Sequence, residues 1–372
     1  MILVNILYSG LGGHSSVVFS LIEADERREF DHIIIFYGIE DMPQSNIDKC
    51  KLLGIRYFLV KKKQGLDLLS QKRVNDILRK VKPDIILLHS VNLILPVYKF
   101  TIGTKTRLIT IEHQPNHLKS KREWIWSVLL MLLSKKVVYL TDLYAEQMKG
   151  YLKLLYIPAK VSVINNGINT ELFKPSPSHI NSDIIIGMLA RLTPPKEHIT
   201  LLEAFRTLID RDPNYKNFKL EIAGDGTSRA SIESKITELG LSDSVTLTGM
   251  ITENRSHIFL NRLTLYVHAS LGETMSTSIM QAMACGKAII GTDVQGINNM
   301  IIPGETGMLV QAKNKKDLAD MMEKLLTDHE LRNKLGKNAL QYAQEHFSNN
   351  TMFKRYKSVF LINLVVDIVS VL

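Results

Sequence analysis

Two cations five positions apart could bind a diphosphate. Arg191 and Lys196 lie in residues 190–197, Ala-Arg-Leu-Thr-Pro-Pro-Lys-Glu, directly after an apolar run at 184–189 that is typical of a buried strand. Ligands bind beyond the carboxyl ends of strands in open α/β sheets, and both cations are common phosphate ligands. The loop therefore favours anion binding, whereas solvated loop charges are the alternative for this segment taken alone.

An acid and a helix start follow another predicted strand at 263–267. Residues 272–286 read Gly-Glu-Thr-Met-Ser-Thr-Ser-Ile-Met-Gln-Ala-Met-Ala-Cys-Gly, so that Glu273 precedes small hydroxyl residues and then a helical apolar pattern. Ser276 or Thr277 is expected to cap this helix and to leave its first amides available for a phosphate. Gly224 ends a further strand in a glycine turn, at the same predicted edge.

A third glycine turn follows the first strand. Residues 9–15, Ser-Gly-Leu-Gly-Gly-His-Ser, precede a helical pattern at 16–23, and Gly12 and Gly13 would let backbone amides approach an anion. Ser15 replaces the third glycine of a dinucleotide fingerprint, and no clear ribose-binding acid follows near Gly38. The segment argues against a nicotinamide site, and a tight strand-to-helix turn is the alternative interpretation.

The elements that must position these residues form two α/β series. Apolar runs at 2–7, 32–37, 84–88, 108–111, 137–140 and 161–164 alternate with helical patterns, and a second series begins at 184. Such runs indicate parallel sheets covered on both faces. We predict a doubly wound domain at 1–170, a linker at 171–182, a second domain at 183–350 and a final helix at 351–372 that returns to the first domain.

The composition excludes several classes of protein. The chain has 372 residues, 45% of them hydrophobic and 22% charged, which suits two globular domains. Cys50 and Cys285 have no metal-ligand spacing and build no disulfide framework. No secretion signal and no apolar run long enough to cross a membrane is recognised. We expect a cytoplasmic protein without a metal or a cofactor.

The net charge of +9 lies entirely in the first half. Residues 1–178 contain 25 Lys and Arg against 16 Asp and Glu. Nucleic-acid-binding modules are not recognised, so we expect no nucleic-acid partner. Lys119, Lys121 and Arg122 precede an apolar run that begins at Trp124, a pattern that favours docking on an anionic membrane surface. A helix that simply covers the sheet is the alternative.

The order of these motifs resembles the family 4 glycosyltransferases, which have the GT-B fold. The resemblance runs through most of the chain and is densest from 164 to 310. It includes residues 163–175, the loop at 190–197, Gly224-Asp-Gly226, residues 245–249, the segment at 272–286 and residues 304–310. It implies two Rossmann-like domains with a cleft between them, a C-terminal crossover helix, and transfer of a sugar from a nucleotide diphosphate with retention at the anomeric carbon.

The resemblance also implies roles for single residues. Arg191 and Lys196 would hold the donor diphosphate, and Glu273 would bind hydroxyls of the donor sugar. His113 would point at the reacting sugar, although an ordinary buried histidine is the alternative. The remaining donor-binding positions are the base-binding pair and the backbone after the acid, namely Gly249, Met250, Thr274, Met275, Ser276 and Thr277.

One position departs from the family pattern. The family has a second glutamate eight residues after the first, on the nucleotide ribose, whereas this chain has Gln281 there. A glutamine amide can accept from one hydroxyl and donate to another, while a carboxylate accepts twice and more strongly. We expect Gln281 to face the ribose and leave the donor sugar unassigned.

The acceptor and the pathway follow from the family and the basic first half. We expect a glycan or a lipid-linked acceptor in bacterial surface polysaccharide or lipopolysaccharide synthesis, at the inner face of the membrane. Two alternatives remain open. One is a nucleotide-sugar epimerase of the same architecture, and the other is a non-catalytic protein that binds nucleotide sugars at a membrane surface.

Overall fold

The computed structural model describes residues 1–10, 13–114, 116, 119–176 and 184–362. The chain divides into two compact units. Unit 1 contains Met1–Gly167 together with the chain from Asn349 onward, and unit 2 contains Ile168–Ser348. The described part of the predicted linker, residues 171–176, lies in unit 2, and its remaining residues lie outside the described ranges.

Unit 1 contains a parallel sheet of seven strands. The strands are β1 (Ile2–Tyr8), β2 (Asp31–Gly38), β3 (Arg56–Lys61), β4 (Ile85–Leu88), β5 (Arg107–Glu112), β6 (Lys136–Tyr139) and β7 (Val161–Val163). Their spatial order is β3-β2-β1-β4-β5-β6-β7. The central strands are buried on both faces, which explains their unbroken apolar sequences.

Seven helices belong to the described part of unit 1. They are α1 (Gly13–Glu23), α2 (Gln44–Leu53), α3 (Leu68–Val81), α4 (Ile94–Thr101), α5 (Lys121–Leu133), α6 (Asp142–Leu152) and α13 (Asn349–Leu361). Helix α13 packs beside Phe30, which meets the rings of Phe353 and Phe360 edge-on. The last described helix therefore completes the first unit.

Unit 2 is built on a second parallel sheet. Its strands are β8 (Ile185–Leu189), β9 (Lys219–Ala223), β10 (Val245–Gly249), β11 (Leu265–His268), β12 (Ile289–Thr292) and β13 (Met308–Val310), in the spatial order β10-β9-β8-β11-β12-β13. The helices are α7 (His198–Ile209), α8 (Arg229–Glu238), α9 (Glu253–Arg262), α10 (Thr277–Ala284), α11 (Lys315–Thr327) and α12 (His329–His346). The two sheets confirm the predicted α/β fold class.

Helix α5 covers the first sheet. A capping box between Ser120 and Glu123 starts it, and most of its apolar residues pack against the core of unit 1. The predicted basic cluster is wrong in one member, because the side chain of Lys119 is 1% exposed and pairs with Glu112. No helix among the described residues combines the length and the apolar character that crossing a bilayer requires.

Candidate active site

Five loops meet at the carboxyl edge of the second sheet. Because the strands are parallel, the segments that follow β8, β9, β10, β11 and β12 all leave the sheet at this edge. The loop after β8 carries both predicted cations, and the loop after β11 carries the predicted acid. The other three carry glycines, namely Gly224, Gly249 and Gly296.

Backbone hydrogen bonds join the loop after β8 to the loop after β11. The amide of Glu197 donates to the carbonyl of Ala269 at 3.0 Å, and the amide of Leu271 donates to the carbonyl of Pro195 at 3.0 Å. This pairing places the ammonium of Lys196 in an ion pair with the carboxylate of Glu273. The two side chains are only 12% and 16% exposed, so the pair is largely shielded from water.

A hydrogen-bonded chain in β11 orients Glu273. Its Oε1 bonds Nε2 of His268 at 2.8 Å, and Nδ1 of His268 bonds the hydroxyl of Tyr266 at 3.1 Å. Burial lowers the pKa of His268 well below its usual range, and the nearby Lys196 lowers it further, so the imidazole is neutral. Since the carboxylate can only accept, His268 donates from Nε2 and accepts from Tyr266.

The two cations differ in their surroundings. Arg191 is exposed and has no ion-pair partner among the described residues. Lys196 is nearly buried, and burial, with a smaller effect from Arg191, lowers its pKa to about 7. Lys196 is therefore a weaker base than an exposed lysine.

Glycines allow two of the loops to touch. Gly224 has a positive φ of 145°, and a Cβ there would collide with the backbone carbonyl of Ala190, next to Arg191. Gly296 has a φ of 87°, and a Cβ there would collide with the backbone of Glu273. The missing side chain at Gly224 thus lets the loop after β9 contact the loop after β8. The missing side chain at Gly296 lets the loop after β12 contact the backbone of Glu273.

The start of α10 differs in detail from the prediction. Ser276 is its N-cap residue, but its hydroxyl contacts the hydroxyl of Ser278 at 3.1 Å and caps no backbone amide. Thr277 is the first helical residue, and Thr274 and Met275 form the connection from Glu273. The first turn of α10 therefore has no side-chain cap at the edge where the cations lie.

Other predicted donor-binding residues occupy the same edge. Gln281 lies one turn into α10, is buried, and makes no side-chain hydrogen bond with a described residue. Gly249 ends β10 with a positive φ of 72°, and its carbonyl accepts from the amide of Gly224 at 2.9 Å. Met250 follows with an exposed side chain.

Three histidines gather at the carboxyl edge of the first sheet. His113 follows β5, His89 follows β4, and His14 lies in the first turn of α1, which follows β1. Nε2 of His113 and Nδ1 of His89 are 2.9 Å apart, and the rings of His14 and His113 are 4.1 Å apart between centroids. Gly13 begins α1, whereas Gly12 lies outside the described residues.

Two of these histidines, His89 and His113, are neutral. Burial, then the neighbouring His14 and His89, lower the pKa of His113 well below its usual range. Burial lowers the pKa of His89 to about 3. No group of described residues could hold a metal ion through three or more His, Cys, Asp or Glu side chains. A neutral His113 can hydrogen-bond a hydroxyl without adding charge.

A buried ion pair joins Glu112 and Lys119, which lie on either side of His113 in the sequence. Lys119 pairs with Glu112, and its ammonium also donates to Asn116 Oδ1 at 2.8 Å and to Ser127 Oγ at 3.1 Å. It lies 4.8 Å from the centre of the Trp124 ring. Glu112 directly precedes His113, so this pair ties together the two ends of the segment between β5 and α5.

Four residues that the sequence did not identify contact or orient the predicted ones. Tyr266, His268 and His89 are buried polar partners, and Gly296 is a backbone contact of Glu273. One signal was available: Tyr266 and His268 alternate within an otherwise apolar strand and so point to the same face. For His89, no local pattern identified its partner.

Two family models match adjoining parts of the chain. "Glycosyltransferase Family 4" matches residues 11–172, and "Glycosyl transferases group 1" matches residues 169–342. Together they account for almost all of the two units. By these two matches, the chain belongs to the glycosyltransferases of group 1 and family 4.

Individual relatives agree with this assignment. Alpha-D-kanosaminyltransferase of Streptomyces kanamyceticus is 35% identical over 118 residues, which are 32% of this chain and 31% of that protein. The capsular polysaccharide biosynthesis glycosyltransferase CapM of Staphylococcus aureus is 25% identical over 205 residues, which are 53% of each chain. The chain thus spans about a third to a half of the length of these two relatives.

A solved structure shares the fold over nearly the whole chain. The Anabaena protein HepE, crystallised with UDP-glucose, has a TM-score of 0.82 at 18% identity, with 96% of this chain and 99% of that chain covered. The GT-B fold of the chain is therefore confirmed.

Proposed function

We propose that the protein transfers a hexose from a nucleotide diphosphate sugar to a glycan or lipid-linked acceptor, with retention at the anomeric carbon. The observation that carries the proposal is the contact between Lys196 and Glu273, beside Arg191, at the ligand edge of the second sheet. It combines cations for a diphosphate with an acid for sugar hydroxyls. The UDP-glucose complex of HepE, a protein of the same fold, supports the donor class.

The chemical requirement is to stabilise the diphosphate as its bond to the sugar breaks. Lys196 and Arg191 supply positive charge from fixed positions, and the first turn of α10 adds the partial positive charge of its amides. These groups meet the charge requirement without a metal ion, so we propose metal-independent transfer. Glu273 would bind donor-sugar hydroxyls, and Gly249 and Met250 would receive the base.

The pathway belongs to the same proposal. CapM acts in capsular polysaccharide biosynthesis, as its name states. Together with the basic first half of the chain, this supports a role in bacterial surface polysaccharide assembly. His113, neutral and hydrogen-bonded to His89, is the residue proposed to face the reacting sugar.

Product analysis tests the proposal. The purified protein is incubated with a panel of nucleotide sugars, with and without lipid-linked and oligosaccharide acceptors, and the products are identified by mass spectrometry and by their anomeric configuration. We expect an acceptor-dependent product with the donor's configuration, unchanged by a chelator. An epimerised nucleotide sugar formed without acceptor would instead identify an epimerase, and nucleotide binding without any product would indicate a non-catalytic protein.

Gln281→Glu is expected to preserve nucleotide binding or to tighten it by up to about fivefold. A carboxylate accepts from both ribose hydroxyls and makes the stronger, charge-assisted hydrogen bonds. Gln281→Ala, which removes the polar group, should weaken binding. Calorimetric titration with UDP measures both variants. A nucleotide complex in which Gln281 lies away from the ribose would contradict the assignment.

The affinity for a nucleotide sugar is expected to fall as the pH rises above 7. Lys196 has a pKa of about 7, and a bound diphosphate would favour its charged form, so binding should raise this pKa and take up protons. Above pH 7 the affinity should drop by up to about tenfold per pH unit, until the pKa of the complex is reached.

Calorimetry in two buffers of different ionisation enthalpy measures both the affinity and the proton uptake. A nucleotide diphosphate sugar is the suitable ligand because its phosphates stay ionised over this range. Lys196→Arg is the control, since arginine keeps its charge and the profile should become flat. Equal wild-type affinities at pH 6 and 8.5 would show that the charge of Lys196 does not change on binding.

A further inference from the structure

A cavity of about 350 Å³ lies at the carboxyl edge of the first sheet, outside the residues assigned to donor binding. Lys62, directly after β3, forms one wall, and Asn92, in the turn after β4, forms another. The third wall is the start of α5, with Arg122 and Trp126. The volume suits a small polar group such as a phosphate or one sugar ring.

The charges at this cavity are unbalanced. Neither Lys62 nor Arg122 forms an ion pair with a described carboxylate, in contrast to the neighbouring Lys61, which pairs with Asp41. Glu123 is the one acidic residue among the described residues of the wall, and its carboxylate is hydrogen-bonded to Ser120 in the capping box of α5. Two cations therefore face the cavity, whereas the carboxylate of Glu123 already accepts hydrogen bonds from Ser120. This arrangement favours an anionic ligand.

Apolar side chains are exposed on the segments that form the walls. Leu66, Leu68 and Leu69 follow the cavity residue Gly65, and they are 73%, 67% and 70% exposed. Ile125, which directly precedes Trp126, is 60% exposed. Single exposed apolar residues are ordinary, but four on the segments that bound one cationic cavity suit a ligand with an apolar part.

We propose that this cavity binds the phosphate of an amphiphilic acceptor, whose apolar chain lies along Leu66, Leu68, Leu69 and Ile125. Lys62 and Arg122 hold the phosphate, and Trp126 packs against the first carbons of the chain. Its role as an acceptor site rests on the proposed function, because only a transferase needs a second substrate. The binding itself does not depend on turnover.

Fluorescence titration with farnesyl phosphate tests the binding. The chain has two tryptophans, Trp124 and Trp126, so Trp124→Phe leaves the cavity residue as the only tryptophan reporter. We expect a saturable change with farnesyl phosphate below its micellar concentration, and binding at least tenfold weaker for farnesol and for inorganic phosphate. Calorimetry on the wild-type protein repeats the measurement in case Trp124→Phe disturbs α5.

Matched lysines beside the cavity provide the controls. Lys62→Gln and Arg122→Gln should each weaken farnesyl phosphate binding about tenfold, whereas Lys63→Gln and Lys121→Gln, one residue away and absent from the cavity wall, should change it less than twofold. Farnesol bound as tightly as farnesyl phosphate, equal effects in all four variants, or no saturable binding would each overturn the proposal.

Donor binding separates this proposal from the proposed function. UDP-sugar affinity, measured by calorimetry, should be unchanged in Lys62→Gln and Arg122→Gln. If the wild-type protein binds farnesyl phosphate but transfers no sugar, the result would support the assignment of the cavity and contradict the proposed reaction. If Lys62→Gln and the wild-type protein transfer sugar to a neutral, non-lipid acceptor at the same rate, the result would support the proposed reaction and contradict the amphiphilic acceptor.

Discussion

Lys196→Ala is expected to lower the rate of sugar transfer by about 30- to 1,000-fold, with the fold retained. This range corresponds to the loss of roughly 2 to 4 kcal/mol when one fixed charge-assisted contact is removed from an active site. The lysine is nearly buried beside Glu273, so little water can replace it. Arg191→Ala should act in the same direction, but nearer the lower limit because the arginine is exposed.

Steady-state kinetics with a fixed acceptor measure both variants, and circular dichroism checks the fold. Arg206→Ala is a suitable control, since Arg206 forms a surface ion pair with Asp210 on α7, away from the loops. Near-normal rates in both Lys196→Ala and Arg191→Ala would contradict the proposal that the diphosphate binds at this edge of the sheet.

Lys119→Met is expected to destabilise unit 1 by about 3 to 5 kcal/mol. Removing one partner of a buried ion pair leaves the other charge, here Glu112, without compensation in a medium that solvates it poorly. Such a loss is large against a typical domain stability of about 5 to 15 kcal/mol. Both tryptophans lie on α5, so their fluorescence during urea unfolding reports on unit 1.

The double variant Lys119→Met/Glu112→Gln should regain most of the lost stability, because it removes the unpaired charge. Lys121→Met, an exposed neighbour, should change the stability by less than about 0.5 kcal/mol. A loss no larger for Lys119→Met than for Lys121→Met would show that the ion pair contributes nothing to the stability of unit 1.

The fold was predictable because burial on both faces of a parallel sheet leaves unbroken apolar runs. β1, β2 and β4 show such runs directly in the sequence. Two of the edge strands, β3 and β13, were harder to recognise. In β3, between Arg56 and Lys61, only Val60 is buried, and β13 has only three residues. Because an edge strand is partly exposed to solvent, its sequence does not need an unbroken run of apolar residues.

The candidate site was predictable only where its chemistry is local. Arg191, Lys196 and Glu273 each follow a strand, and the sheet edge brings them together. Side-chain partners depend instead on the strand order in space. His89 and His113 are 24 residues apart and meet because β4 pairs with β5. Lys119 was placed at the surface because its neighbours are basic, while its partner Glu112 lies in the adjacent strand end.

The ion pair between Lys196 and Glu273 also has a consequence for anions that approach this edge of the second sheet. An inorganic phosphate that approached Lys196 would compete with the carboxylate of Glu273 for the ammonium and would bring a second negative charge beside that carboxylate. In the proposed reaction, a nucleotide sugar would bring its diphosphate to Lys196 and its hydroxyls to Glu273, so that each residue would have a new partner. Under the proposed function, we therefore expect simple phosphates to bind this edge more weakly than a nucleotide sugar, because only a ligand with both groups gives both residues a new partner.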